Sequence, residues 1–125
     1  MVLNDKTGGK IIGRVLLIEK NNQYVVNQRS EIIKLSTSLW DPQFAFTYLN
    51  GPFRKKVLRI MQGGTQNYVN FSSVKKLTAS LTSVKEQKEI GTLFQKLDNI
   101  IILQQRKLKE LQQVKQTLSQ FLLNG

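Results

Sequence analysis

The chain has 125 residues, of which 40% are hydrophobic, enough for one domain with a modest core. Lys and Arg number 19 against 8 Asp and Glu, and the formal net charge of +11 favours a polyanionic partner such as a nucleic acid. The absence of Cys and His excludes Cys/His zinc sites, thiolate nucleophiles and histidine-based catalytic triads.

Short strands are predicted for the first third of the chain. Aliphatic residues at 11, 12 and 15–18 favour an extended segment that Gly13 interrupts. Residues 20–22, Lys-Asn-Asn, predict a turn, after which residues 23–26 resume an extended course. We expect the two segments to pair as a hairpin, with a third short strand at residues 31–35.

Two short helices are predicted next. Asp41-Pro42 combines a residue type that caps helices with a proline suited to the first helical turn. Asn50-Gly51 ends this helix, and Pro52 begins a second one that extends to about residue 61.

The second helix carries the densest basic cluster of the chain. Lys55 and Arg59 lie opposite its apolar face, and Arg54 and Lys56 lie on the two flanks of that face. Two interpretations remain open for this cluster: contact with phosphate groups, or a solvated helix face.

A polar turn is predicted after Gly63-Gly64. The polar residues that follow the two glycines either hydrogen-bond the edges of bases, as Gln and Asn do with adenine, or only cap the turn. The same alternatives hold for residues 27–29, at the end of a predicted strand. Residues 68–71 and 77–81 are predicted as extended pieces around a turn at 72–73. The full set of candidate nucleic-acid-binding residues is Asn27, Gln28, Arg29, Arg54, Lys55, Lys56, Arg59, Thr65, Gln66, Asn67 and Tyr68.

One long helix is predicted for the last third. Ser83 and Glu86 have the spacing of a capping box, and apolar residues recur in heptads over residues 84–123, about 60 Å of helix. Gln104 interrupts this stripe, either as a polar pair that sets the register or as a surface glutamine. The first 82 residues are too few to bury the stripe, which predicts an interface with another chain or segment. The interface residues are Ile90, Phe94, Leu97, Ile101, Leu108, Leu111, Leu118 and Leu122.

Charge divides the chain into two parts. Residues 1–82 hold 12 Lys or Arg against 4 Asp or Glu, whereas residues 83–125 hold 7 against 4. We therefore expect a nucleic-acid-binding domain at 1–82 and a coiled-coil spacer or dimerisation helix at 83–125. The acidic residues form no paired-carboxylate motif, and Gly8-Gly9-Lys10 lacks the rest of a phosphate-loop signature, so no enzymatic site is predicted.

Neither a membrane segment nor an export signal is expected. The longest apolar runs, at 15–18 and 100–103, have four residues each, and a membrane helix needs about 20. The first residues contain no apolar run that resembles a signal peptide. These features predict a cytoplasmic chain.

Four segments, taken in order, resemble the specificity subunit of type I restriction-modification systems. The most specific part of the resemblance is a combination of two motifs: the Gly-Gly-Thr-Gln turn and the helix that begins with Glu-Gln. The segments are Lys10 to Ile18 with Gly13-Arg14-Val15; Tyr24-Val25-Val26-Asn27-Gln28; Asp41-Pro42 to Asn50 with Gly63-Gly64-Thr65-Gln66; and Glu86-Gln87, Ile90, Leu97-Asp98 and Gln105 to Leu108.

The resemblance implies an α+β fold: a small partial target-recognition domain with short strands and helices, followed by a long C-terminal coiled-coil helix. It implies a non-catalytic subunit that recognises double-stranded DNA and docks the modification (methyltransferase) subunit and, through it, the restriction subunit. It implies no cofactor and no metal in this chain.

The resemblance also predicts a truncated or fragment subunit. A complete subunit of this family has two recognition domains and two spacer helices, and this sequence has no internal repeat. A homodimer through the C-terminal helix is a further expectation, because the first 82 residues are too few to bury its apolar stripe. The alternative function is a helix-driven oligomerisation or adaptor module with only non-specific affinity for DNA.

Overall fold

The structure is a computed structural model that describes residues 2–4, 10–62 and 67–125. Its elements form a small α+β arrangement followed by one long C-terminal helix, as the sequence predicts. By contacts, the chain divides into two compact units, residues 1–92 and residues 93–125. None of the described helices is long and apolar enough to cross a membrane.

A small antiparallel sheet combines β1 (Val2–Asn4), β2 (Val15–Leu16) and β3 (Ser30–Ile32) in the order β2-β1-β3. In β1, Val2 lies between Leu16 of β2 and Ile32 of β3. β2 and β3 therefore both pair with β1 and not with each other.

The predicted hairpin is wrong. Residues 11–13 form a turn closed by the bond from the Arg14 amide to the Ile11 carbonyl (3.1 Å). Gly13 adopts a left-handed φ of +69°, which a regular strand does not accommodate. Residues 23–26 form no strand, and the third strand begins one residue earlier and is shorter than expected. The turn at residues 20–22 is confirmed, and Asn22 has a φ of 60° within it.

The two short helices are confirmed as α1 (Pro42–Asn50) and α2 (Pro52–Arg59). The Asp41 carboxylate accepts a hydrogen bond from the Phe44 amide (3.0 Å), which satisfies one of the free amides of the first turn. Gly51 ends α1, where its amide donates to the carbonyls of Thr47 and Tyr48.

The predicted turn at residues 72–73 between two extended pieces is wrong, because these residues lie in a short helix, α3 (Phe71–Val74). Asn70 initiates α3: its side-chain oxygen accepts from the Ser72 amide at 3.0 Å. Residues 77–81 have no regular secondary structure.

The core of the globular part lies between α1, α2 and the segments around β2 and α3. Phe44 and Tyr48 of α1 stack at 5.7 Å between ring centroids, and Trp40 and Phe53 flank the pair. The buried hydrophobic cluster consists of Ile12, Val15, Ala45, Leu49, Phe53, Val57, Val69 and Val74.

The long helix is confirmed as α4 (Val84–Asn124), 41 residues in length. The capping box forms as predicted: the Glu86 amide donates to the Ser83 hydroxyl, and the Ser83 amide donates to the Glu86 carboxylate. Only Gln87 and Gly91 are buried on α4.

Candidate nucleic-acid interface

Two cations of α2 are free to bind an anion. Lys55 and Arg59 are exposed, and neither has a hydrogen-bond or ion-pair partner among the described residues. They are four residues apart and therefore lie on the same face of the helix. The opposite side of α2, Phe53 and Val57, packs into the core, which holds the two cations toward solvent.

The other two predicted cations of α2 are half-buried and bonded within the protein. The Arg54 guanidinium donates from Nε to the Ile12 carbonyl (3.1 Å) and from Nη2 to the Lys10 carbonyl (3.0 Å). The Lys56 ammonium donates to the Thr78 carbonyl at 2.8 Å. Both side chains would have to give up intramolecular bonds to contact a phosphate fully.

The segment from Gln62 to Tyr68, called the 62–68 loop, carries the residues of the predicted polar turn, of which 63–66 lie outside the described residues. The backbones of Gln62 and Tyr68 form an antiparallel bridge with two hydrogen bonds of 2.9 Å, which closes the base of this loop. Tyr68 is 41% exposed and Asn67 is half-buried. The other candidates of the loop, Thr65 and Gln66, lie outside the described residues. The loop follows Arg59 by three residues, so the loop and the free cations of α2 are adjacent.

The candidates at residues 27–29 form a separate turn that leads into β3. The Asn27 side-chain oxygen accepts from the Arg29 amide (3.0 Å) and from the Ser30 hydroxyl (3.2 Å). Asn27 thus shapes the turn with its oxygen, a role that its residue type favours. Gln28 and Arg29 are exposed at the tip of the turn.

The apolar stripe of α4 is exposed throughout the second unit. Its members from Phe94 to Leu122 have exposed fractions between 43% and 77%, whereas Ile90, in the first unit, is half-buried. With flanking residues such as Leu93, Ile100 and Phe121, the apolar positions cover about 180° of the helix circumference at 3.6 residues per turn. A two-stranded coiled coil uses a narrower seam than this.

Two buried residues of α4, Gln87 and Gly91, connect its first turns to the start of α1. The Gln87 side chain accepts from the Asp41 amide and donates to the carbonyls of Leu39 and Thr82, all at 2.9 Å. A Cβ on Gly91 would lie 2.9 Å from the Phe44 backbone nitrogen. The sequence signal for this contact is the single glycine within a long helix pattern.

A further, partly buried connection was not predicted: the Asn50 side chain hydrogen-bonds β2. Its side-chain oxygen accepts from the Val15 amide (2.9 Å), and its side-chain nitrogen donates to the Val15 carbonyl (3.0 Å). Asn50 thus bonds the β2 backbone as a neighbouring strand would. Its position at a helix end, next to glycine, explains why it is predicted only as a helix stop.

A groove of about 850 Å³ lies in the described part of the chain. It is lined mainly by apolar residues of segments 17–26 and 32–37, and no candidate DNA-binding residue borders it. Within residues 10–62 and 67–125, no group of three or more acidic side chains is arranged to hold a metal ion.

Comparison with known proteins identifies the family. The family model described as the type I restriction modification DNA specificity domain matches residues 6–113, which is most of the chain. No curated protein and no solved structure matched the chain. The match spans both the globular part with its free cations and most of α4, and it agrees with the resemblance seen in the sequence. The chain belongs to the type I restriction-modification DNA specificity domain family.

Proposed function

We propose that the chain is a DNA sequence-specificity component of a type I restriction-modification complex. It binds double-stranded DNA with the basic face of α2 and the loop after it, and it docks methyltransferase subunits with α4. The observation that carries the proposal is the pair Lys55 and Arg59, exposed and without a partner among the described residues, in a DNA specificity domain.

Charge and geometry together support DNA as the ligand. A free exposed cation gives up no protein contact when it meets a phosphate, and it releases a condensed counterion from the DNA. Residues 1–82 carry 12 Lys or Arg against 4 Asp or Glu, so the domain as a whole attracts DNA. Arg54 and Lys56 contribute to this field, and their intramolecular bonds favour Lys55 and Arg59 as the direct phosphate contacts.

Base recognition is assigned to the loop at residues 62–68. Phosphate contacts position a protein on DNA, whereas base edges carry the sequence information. Gln66 and Asn67 have the amides that pair with adenine in the major groove, and replacing either by Ala should cost about 1–3 kcal/mol in preference among sequences. Thr65 and Tyr68 belong to the same loop, and the turn of Asn27, Gln28 and Arg29 is a second candidate contact.

The experiment is a titration of DNA duplexes at several salt concentrations. The double variant Lys55→Gln, Arg59→Gln removes two phosphate contacts, so the slope of log K against log salt should shrink by about 1.8. The control is Lys75→Gln, Lys76→Gln, which removes the same charge from exposed positions elsewhere in the domain. A slope that is unchanged in the α2 variant would show that this face is only solvated.

The α4 stripe is proposed as the docking surface for other subunits. Its width of about half the helix circumference supports packing against more than one helix. Those helices come from a second copy of this chain, from the methyltransferase subunit, or from both, and the restriction subunit joins through the methyltransferase subunit. We propose no catalytic step for the chain itself.

The alternative function, an oligomerisation or adaptor module with only non-specific DNA affinity, is also supported by the exposed stripe. The two functions differ in one measurable property. A specificity component distinguishes between duplexes of equal length and different sequence at a fixed salt concentration, whereas an adaptor module binds them equally.

A further inference from the structure

A turn at residues 10–14 lies directly against the basic helix α2. Arg54 holds it there, because its guanidinium donates to the carbonyls of both Lys10 and Ile12. Gly13 permits the close approach: a Cβ at this position would lie 3.0 Å from the Val57 side chain, and its φ of +69° suits glycine.

The turn presents its charged residues to solvent. Ile12, Gly13 and Val15 are buried, whereas Lys10 and Arg14 are exposed. Neither cationic side chain has a hydrogen-bond or ion-pair partner in the part of the chain that the structure describes. The backbone of Lys10 is within hydrogen-bond distance of Arg54, the residue that precedes Lys55. The turn and α2, about 40 residues apart in sequence, are thus held side by side, and each carries two exposed cations.

We propose that Lys10 and Arg14 form a second phosphate-contact element on the DNA-binding surface, and that Arg54 is the positioning residue that holds this element beside α2. The inference rests on the proposed DNA-binding function and assigns the DNA backbone as the ligand of the turn. Arginine suits the position because its planar guanidinium reaches two carbonyls at once, which a single ammonium group does not reproduce.

The first test compares salt slopes for one duplex of fixed sequence. Lys10→Gln, Arg14→Gln should shrink the slope by about 1.8, as for two lost phosphate contacts. The Lys75→Gln, Lys76→Gln control should leave it unchanged. Both changed residues of the turn are exposed, so the variant is expected to fold.

The outcomes separate this inference from the proposed function. A reduced slope for both the turn variant and the α2 variant Lys55→Gln, Arg59→Gln supports both assignments. A reduced slope for the α2 variant alone overturns the inference and leaves the proposed function intact. An unchanged slope in both variants overturns the two together.

The second test addresses Arg54 by itself. Arg54→Lys keeps the formal charge and removes the two-carbonyl contact. If Arg54 acts by positioning the turn, the slope should fall toward that of the Lys10→Gln, Arg14→Gln variant although no charge is lost. Thermal unfolding by circular dichroism verifies that the variant is folded. A folded variant with the wild-type slope would overturn the positioning role.

Discussion

Gln87 should be essential for the stability of the globular part. Its side chain has no exposed surface, and it forms three hydrogen bonds of 2.9 Å with the backbone of residues 39, 41 and 82. Gln87→Met preserves the length of the side chain, so no large cavity opens. It leaves one amide and two carbonyls without their partner. At about 1 kcal/mol net for each hydrogen bond, the loss is about 3 kcal/mol.

Urea denaturation followed by tryptophan fluorescence measures this loss. Trp40 is the only tryptophan and adjoins Asp41, whose amide binds Gln87, so the signal comes from the affected region. For an m-value of about 1.5 kcal/mol/M, the midpoint should fall by about 2 M. Protein concentration is held constant, because association through α4 would add to the apparent stability.

The matched control is Gln95→Met, an exposed glutamine two turns further along α4. It should change the free energy of unfolding by less than about 0.5 kcal/mol. Gln87→Glu should be more harmful than Gln87→Met, because it removes the donor and buries a charge. If Gln87→Met unfolds at the wild-type urea concentration, the hydrogen bonds of Gln87 do not hold α4 to the start of α1 in solution.

Two other changes test the contacts of the same helix. Gly91→Ala should destabilise the protein by about 1–3 kcal/mol, because the new Cβ would lie 2.9 Å from the Phe44 backbone nitrogen. In an exposed helix the same change stabilises a protein. A neutral or stabilising effect in thermal unfolding would disprove the close packing at Gly91. The double variant Leu97→Lys, Leu111→Lys should abolish association through α4 in sedimentation equilibrium, because it places charges in the apolar stripe. Wild-type protein that stays monomeric at high concentration, both alone and with the methyltransferase subunit, would contradict the docking role of the stripe.

The stripe of α4 shows why the same helix pattern supports two functions. Exposed apolar residues over this length identify an interaction surface but not its occupant. The family match adds the context of a restriction-modification complex. Duplex discrimination and subunit association are independent measurements, so a chain that associates without discriminating would support the adaptor function.

The sequence alone determined where α1, α2 and α4 begin and where α1 ends, but not the short helix α3. Asp41-Pro42, Asn50-Gly51 and the pair Ser83 and Glu86 act through bonds within three or four residues, so their effect is visible in a local pattern. The heptad repeat likewise predicts α4 without any knowledge of its partners. The net positive charge and the absence of Cys and His are properties of composition and need no fold.

Only the tertiary structure decided the strand pairing and the roles of individual cations. β1 lies between β2 and β3, a long-range pairing that no local signal encodes, and Gly13 bends the chain where apolar residues alone predict a strand. Arg54 and Lys55 are neighbours of similar charge. Arg54 bonds a carbonyl 42 residues away, whereas Lys55 has no partner in the part of the chain that the structure describes. The physical reason is that a hydrogen bond to a distant backbone carbonyl depends on how the elements pack, and packing is absent from a local sequence pattern.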